Sequence, residues 1–285
     1  MLNLEVPLTG RKLPWRIINT GFNNAFTNMG IDEAIMEAYA AGQVPPTIRF
    51  YGWDPAAVSL GYFQHGEKEI DFAACQARGI DIVRRLTGGR AVLHKKELTY
   101  SIIVGEDYPE IPKTITASYR YLSKGLLLGL DKLGLTAEMT KPIASYGQHI
   151  RKPASAACFD APSHYELTIN RRKLIGSAQV RKHGVILQHG SILLDFSPSE
   201  LASILLLPAG QEDDTITMLK NKVVDLKSAL GREVSWDEVR IAMTKGLQEA
   251  LQISEIEGAL TVGEITRADY LSELKYSSET WIKRR

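Results

Sequence analysis

SHYELTINRRKLIGSAQVRKHGVILQHGSILLDF, residues 163–196, is the stretch on which the fold class turns. It reads as three strands joined by tight turns, with Asn170-Arg171 and His183-Gly184 at the turn positions. Toward the N-terminus, WRIINT (15–20) reads as a short strand. Residues 23–42 read as a helix, with Met29, Ala34 or Ile35, Ala38 and Tyr39 at helical spacing and Gly42 as the stop. TIRFYGW (47–53) and AVSLGYF (57–63) are strands on either side of the Asp54-Pro55 turn signal. IDFAACQARG (70–79) is a short helix ended by Gly79. A long helix is expected at about 114–133. It is followed by a polar stretch with Pro142 and Pro153, a loop of roughly 20 residues near 134–156; loops that long in a compact domain are usually functional. From Ser199 onward the chain is mostly helical. SWDEVRIAMTKGLQEAL (235–251) is its clearest amphipathic segment, with Ser235 as N-cap and Glu238 placed for a capping box. Strands with interspersed helices, several hairpins and a helical tail predict an α+β fold, or mixed α/β, rather than a doubly wound parallel sheet.

A length of 285 residues suggests one large domain, or one with a smaller appendage. With 44% hydrophobic and 24% charged residues, the chain can bury a core without staples. A formal net charge of +1 gives a weak overall field, which disfavours general nucleic-acid binding. Two cysteines are too few for a disulfide framework and point to a reducing compartment. No apolar run approaches the ~20 residues of a membrane span. The N-terminal residues lack the long apolar region of a secretory signal. The expectation is a cytoplasmic protein with no membrane or nucleic-acid partner.

The chemistry concentrates in three places. IDIVRRLTGGRAVLH (80–94) ends a strand with Arg84, Arg85 and Arg90 around Gly88-Gly89, and closes on His94. Glycines let backbone approach a ligand and free its N–H groups, and arginines suit a phosphate or carboxylate. The plainer alternative is a hairpin turn with solvated arginines. The spacing is neither a P-loop nor a dinucleotide fingerprint. Cys158 lies where the long loop gives way to a strand, either as a nucleophile or as a small buried hydrophobe. Cys75, in FAACQA, looks like the inner face of a short helix. A thiol with a pKa of about 8.5 needs a nearby cation or base. Lys173 could hold a thiolate by charge or act as base, or it could be a solvated turn lysine. His94, His149, His164, His183 and His189 show no metal-ligand spacing, and no C-x-x-C or G-x-S-x-G is present. No catalytic metal is expected.

Taken together, these motifs resemble the biotin/lipoate protein ligase superfamily. RRLTGGRAVLHKKELTYS (84–101) is similar to its first signature, and KLIGSAQVRK (173–182) with VILQHGSILLD (185–195) to its second. ACFDAPSHYEL (157–167) resembles a cysteine-bearing motif of an octanoyltransferase branch. The resemblance covers roughly residues 15–250 and leaves 251–285 as a helical tail. It implies a ligase-like catalytic domain with a mixed central sheet flanked by helices. It further implies that Cys158 takes an octanoyl group from the phosphopantetheine of octanoyl-acyl carrier protein, as a thioester. A lysine of a lipoyl domain, the glycine cleavage H protein in this branch, would then receive it as an amide. Lys173 would lower the Cys158 pKa and move protons. Gly88 and Gly89 would line an acyl tunnel. Arg84 and Arg85 would anchor the loop or meet the phosphopantetheine arm, with His94 and Tyr100 along the same wall. Gly176, Ser177 and Ala178 are candidates for the oxyanion site, and His189 and Gly190 for substrate contact. No ATP or other cofactor would be needed, and a monomer is expected. Three other readings share the motifs. They are an octanoyl/lipoyl amidotransferase, an ATP-dependent lipoate ligase and a non-catalytic lipoyl-domain binder.

Overall fold

The computed structural model describes residues 13–140 and 166–285. The strands are β1 (Leu13–Asn23), β2 (Thr47–Trp53), β3 (Ala57–Leu60), β4 (Asp81–Arg84), β5 (Val92–His94) and β6 (Glu97–Gly105), then β7 (Glu138–Thr140), β8 (Glu166–Ile169), β9 (Arg172–Lys182), β10 (Val185–Leu193) and β11 (Ile253–Glu257). The helices are α1 (Ala25–Ala40), α2 (Gly66–Glu69), α3 (Phe72–Ala77), α4 (Ile115–Lys132) and α5 (Pro198–Ala202), followed by α6 (Glu212–Lys222), α7 (Leu226–Leu230), α8 (Trp236–Leu251), α9 (Val262–Leu271) and α10 (Glu279–Ile282). A single π turn, Ser272–Tyr276, joins the last two.

Among the described residues the main sheet has eight strands in the order β11-β1-β2-β6-β10-β9-β8-β7. β1 pairs in parallel with β2 and β11, and the remaining neighbours are antiparallel, so the sheet is mixed. The β8-β9-β10 meander forms as expected. Its turns place Asn170, Arg171, His183 and Gly184 at positive φ, the left-handed geometry that tight hairpins require. Alternation along β6 divides the core. Leu98, Tyr100, Ile102 and Val104 face one side, where Leu122, Leu126 and Leu130 of α4 and Val239, Met243 and Leu247 of α8 cover them. Ile103 faces the other, packed with Ala34, Ile35 and Met36 of α1 and Ala268 and Leu271 of α9. Helix starts follow their caps. Asn24 accepts from Thr27 N–H, Thr114 from Ala117 N–H and Ser235 from Glu238 N–H. The Glu238 side chain binds Arg232 rather than returning to Ser235, so only half of the expected capping box forms.

A small second sheet, β4-β3-β5, carries the arginine-glycine stretch. β3 is parallel to β4 and antiparallel to β5. The Gly-Gly segment is therefore not a hairpin turn; it crosses the end of β3 between two strands that do not pair. The run 91–105 breaks at Lys96 (φ 49°), so β5 stays in the small sheet and β6 enters the main one. Two other expectations change. The long loop contains the edge strand β7, and the tail expected to be helical opens with β11, which joins the main sheet beside β1. α9 is tied in by Glu264, whose carboxylate accepts from Arg16 of β1.

Candidate active site

A cavity of about 330 Å³ lies between the Gly-Gly segment, α1 and the main sheet. Met29, Tyr51, Trp53, Val92 and Ile115 give it an apolar wall. Its size and lining are those of a small-molecule site. Arg85, Gly88, Gly89, His94, Lys173, Gly176, Ser177, Ala178, His189 and Gly190 also line it. Tertiary structure thus gathers residues from both sequence signatures around one space.

Cys158, together with His149, His164 and most of the 157–167 motif, lies outside the described residues. Cys75 is fully buried among Val58, Leu60 and Ile70, and burial pushes its thiol up to about 11. It is a small hydrophobe of the core. Lys173 is not a solvated turn lysine. Only 4% exposed, it sits two residues past the β8-β9 turn, with Nζ 3.0 Å from Glu166 Oε1. Glu166 had no assigned role in the sequence. A register shift at Leu167/Thr168 places it across the strand pair from Lys173.

Gly89 has φ 95°, a conformation that favours glycine. The close packing is at Gly61 on β3's end, where an added Cβ would stand 2.0 Å from the Gly89 carbonyl oxygen. Gly88 has open space where its Cβ would be. Among the described residues the N–H groups of Gly88 and Gly89 make no hydrogen bond.

The two arginines of the stretch part ways. Arg85 faces the cavity but spends its guanidinium on protein. It donates to the carbonyls of Ser59, Gly88 and Arg90 and to the hydroxyls of Ser59 and Thr87. Arg84 does not reach the cavity. It is 0% exposed and donates to the carbonyls of Gly61, Gln64 and Ile282, tying the segment to the chain's end. Of the two roles expected for it, only anchoring fits that position. Tyr100 is likewise not on the cavity wall. Alternation along β6 turns Thr99 and Ser101 toward the α1 side and Tyr100 to the opposite face. There its hydroxyl donates to Ser177 Oγ at 2.7 Å, and burial raises its phenol to about 12.

A buried polar network that the sequence did not reveal stands behind the wall. Asp32, on the inner face of α1, accepts from Arg49 Nη1 (2.7 Å), Tyr51 OH (2.9 Å) and Ser101 Oγ (2.9 Å). His189 Nδ1 lies 3.2 Å from Oδ2, the oxygen that also accepts from Tyr51. Burial opposes the Asp32 charge, but Arg49 and then His189 outweigh it and hold the carboxyl below its usual range. His94 stacks on Trp53 with centroids 4.0 Å apart, and burial pushes its imidazole down. Its Nδ1 is 3.7 Å from Glu97 Oε1, too long for a hydrogen bond, so Glu97 acts there as a charge at a distance. Asp32 sits within the helix spacing of 23–42 beside a second buried acid, Glu33, so nothing in the local pattern singles it out. Among the described residues no cluster of histidine, cysteine and carboxylate groups could hold a metal ion, and no helix is long and apolar enough to cross a membrane.

Residues 24–248 match the lipoyl protein ligase A/B catalytic domain. The chain is 47% identical to the octanoyltransferase LipM of Kyrpidia tusciae, over 94% of this chain and 97% of that one. It is 43% identical to the octanoyltransferase LipM of Bacillus subtilis, over 95% and 98%. In three dimensions it is similar to the bi-partite lipoate protein ligase of Thermoplasma acidophilum, with a TM-score of 0.76 at 27% identity over 95% of this chain and 96% of that one. A lipoate-protein ligase A bound with ATP matches with a TM-score of 0.75 at 27% identity, over 96% and 99%. A near-full-length match of this kind, on a mixed sheet whose two signatures meet at one cavity, places the chain in the lipoyl protein ligase A/B catalytic-domain family, among the octanoyltransferases LipM.

Proposed function

We propose that this octanoyltransferase works through a thioester on Cys158, taking the octanoyl group from octanoyl-acyl carrier protein and passing it to a lysine of a lipoyl domain, such as that of the glycine cleavage H protein. In the first half-reaction the Cys158 thiolate attacks the donor thioester. A new S–C bond forms, the bond to the phosphopantetheine sulfur breaks, and that sulfur leaves with a proton. In the second, the acceptor amine attacks the Cys158 thioester, gives up a proton and leaves as the amide while the thiolate is restored. Splitting the transfer lets two protein partners use one site in turn.

The observation that carries this reading is the position of Lys173, buried on the wall of a largely apolar cavity that Gly88 and Gly89 also line, their N–H groups making no hydrogen bond among the described residues. An ammonium in such surroundings favours a neighbouring thiolate and can deliver a proton to a leaving sulfur. Glu166 orients it. The Gly88 and Gly89 N–H groups, with those near Gly176–Ala178, are candidates to hold the developing oxyanion. The apolar wall suits an eight-carbon chain. Transfer between thioesters is nearly balanced and the amide lies downhill, so the scheme requires neither ATP nor metal. We take the working protein to be a cytoplasmic monomer.

The test is intact-mass spectrometry after mixing with octanoyl-acyl carrier protein, without ATP. One added octanoyl group, removed by hydroxylamine, retained in Cys75→Ala and absent in Cys158→Ala, is expected. An adduct in both cysteine variants would refute the nucleophile. No adduct with this donor, but transfer from an octanoylated H protein or from free octanoate with ATP, would favour the amidotransferase or the ligase instead.

A further inference from the structure

Among the described residues two imidazoles line the cavity, and the guanidinium of Arg85 reaches the partners of both. Arg85 Nε donates to Thr87 Oγ1 at 3.1 Å, and Thr87 Oγ1 lies 2.7 Å from His189 Nε2. Arg85 Nη1 donates to Ser59 Oγ at 3.0 Å, and Ser59 Oγ lies 2.8 Å from His94 Nε2. A guanidinium can only donate, so each hydroxyl receives from Arg85 and has one proton of its own to give. At the far side each histidine faces a carboxylate with Nδ1: His189 toward Asp32, His94 toward Glu97. A bare Nδ1 would set a lone pair against a negative charge, so the proton belongs on Nδ1 in both rings. In a neutral ring Nε2 is then the acceptor for the hydroxyl proton. The two chains then run in one direction each: Arg85 to Thr87 to His189 to Asp32, and Arg85 to Ser59 to His94 toward Glu97.

We propose that Arg85 is a positioning residue that sets both cavity histidines as neutral Nδ1–H tautomers, and that His94 and His189 are fixed parts of the wall rather than proton carriers in the transfer. Both Nε2 atoms are committed to a hydroxyl and His189 Nδ1 to Asp32, while His94 Nδ1 is buried without a hydrogen-bond partner among the described residues and faces Glu97 at 3.7 Å. No imidazole lone pair then remains for the acyl group or the incoming amine. The same guanidinium draws the carbonyls of Gly88 and Arg90 toward itself at 2.8 Å each. Across a trans peptide the following N–H points the opposite way, so Arg85 also aims the Gly89 and Ala91 N–H groups away from itself. Its position couples the histidine walls to the segment that would meet the acyl carbonyl. The groups facing His189 are Asp32 from α1, Tyr51 and Arg49 from β2 and Arg85 across Thr87. Those facing His94 are Trp53, Glu97, Arg85 across Ser59 and the second histidine, His189.

The assignment of protonation does not depend on the transfer reaction. The consequence for the mechanism rests on the proposed octanoyl transfer, and the two are read separately. Ring-nitrogen NMR of the ¹⁵N-histidine protein, with His94→Gln and His189→Gln to assign the signals, reads the tautomers directly. In the wild type both rings are expected to show a protonated Nδ1 and a bare Nε2. Thr87→Val should release His189 alone, Ser59→Ala should release His94 alone, and Arg85→Lys should move both. A wild-type signal with the proton on Nε2, or an imidazolium at either site, would overturn the proposal. So would an Arg85→Lys spectrum identical to wild type. If Arg85→Lys does not fold, the paired hydroxyl variants still decide, because each must move one histidine and spare the other. In a transfer assay, His189→Gln is expected to lower the rate without changing the shape of its pH profile. Loss of one limb of that profile would show His189 carrying a proton, even if the tautomers are as stated.

Discussion

Replacing Asp32 with asparagine tests the buried network at its anchor. Asp32 is 1% exposed and accepts from Arg49, Tyr51, Ser101 and His189. Asparagine keeps the shape but loses the charge and turns one oxygen into a donor. Arg49 cannot accept, so the new amide nitrogen must take the place of Oδ2, facing Tyr51 and His189. Arg49, itself 0% exposed, loses its counter-ion but keeps Asn28 and Thr20. Breaking one side of a buried pair costs about 3–5 kcal/mol. Unfolding entropy of about 2.1 cal/mol/K per residue gives roughly 0.6 kcal/mol/K for this chain, so the melting temperature should fall by about 5–8 °C at neutral pH. The pH dependence has a definite sign. The folded pKa of Asp32 is depressed, so its contribution is full above the unfolded value, near 3.9, and is lost as pH falls through the folded value. The gap between wild type and Asp32→Asn should therefore narrow in strong acid. Calorimetry at neutral pH and at about pH 3 measures both. A drop below about 2 °C at neutral pH, or a gap that stays constant into strong acid, would refute the reasoning.

Gly88 and Gly89 should separate cleanly. Gly88→Ala meets open space and keeps stability within about 0.5 kcal/mol, while its methyl projects toward the cavity and shifts preference from octanoyl to shorter acyl donors. Gly89→Ala must hold φ near 95° with its Cβ 2.8 Å from Arg85 Nη2, and should lose about 1–3 kcal/mol. Melting curves and an acyl-length series check the pair, and equal effects in both assays would be the wrong result. Cys75, with its thiol at about 11, should resist iodoacetamide in the native protein and react only on unfolding. Peptide mapping of the alkylated protein shows whether it does.

Local pattern made much of this protein legible. The β8-β9-β10 meander followed from its turn residues, because positive-φ positions at Asn170-Arg171 and His183-Gly184 are a property of the local chain. The helix α1 followed from its spacing and α8 from its amphipathic pattern and the Ser235 cap, and α4 formed where a long helix was expected. The residues that meet at the cavity were mostly legible too, since both signatures are contiguous in sequence. What local pattern could not supply was pairing at a distance. The stretch 80–94 looked like a hairpin, yet its strands flank β3 rather than each other, a matter of which edges are open in the folded sheet. Arg84 and Arg85 are neighbours of the same type, and only alternation within that sheet sends one to the chain's end and the other to the cavity. β11 was hidden in a helical tail because its five residues form a strand only by pairing with β1. Asp32 looked like one acid on a helix. It becomes an anchor because Arg49, Ser101 and His189, 17, 69 and 157 residues away, converge on it. Sequence determines periodicity, caps, turns and which residue types are present, all of which act over a few residues. Burial and charge pairing act across the core, so the tertiary structure alone decides which of those residues share a dry site and which way their protons point.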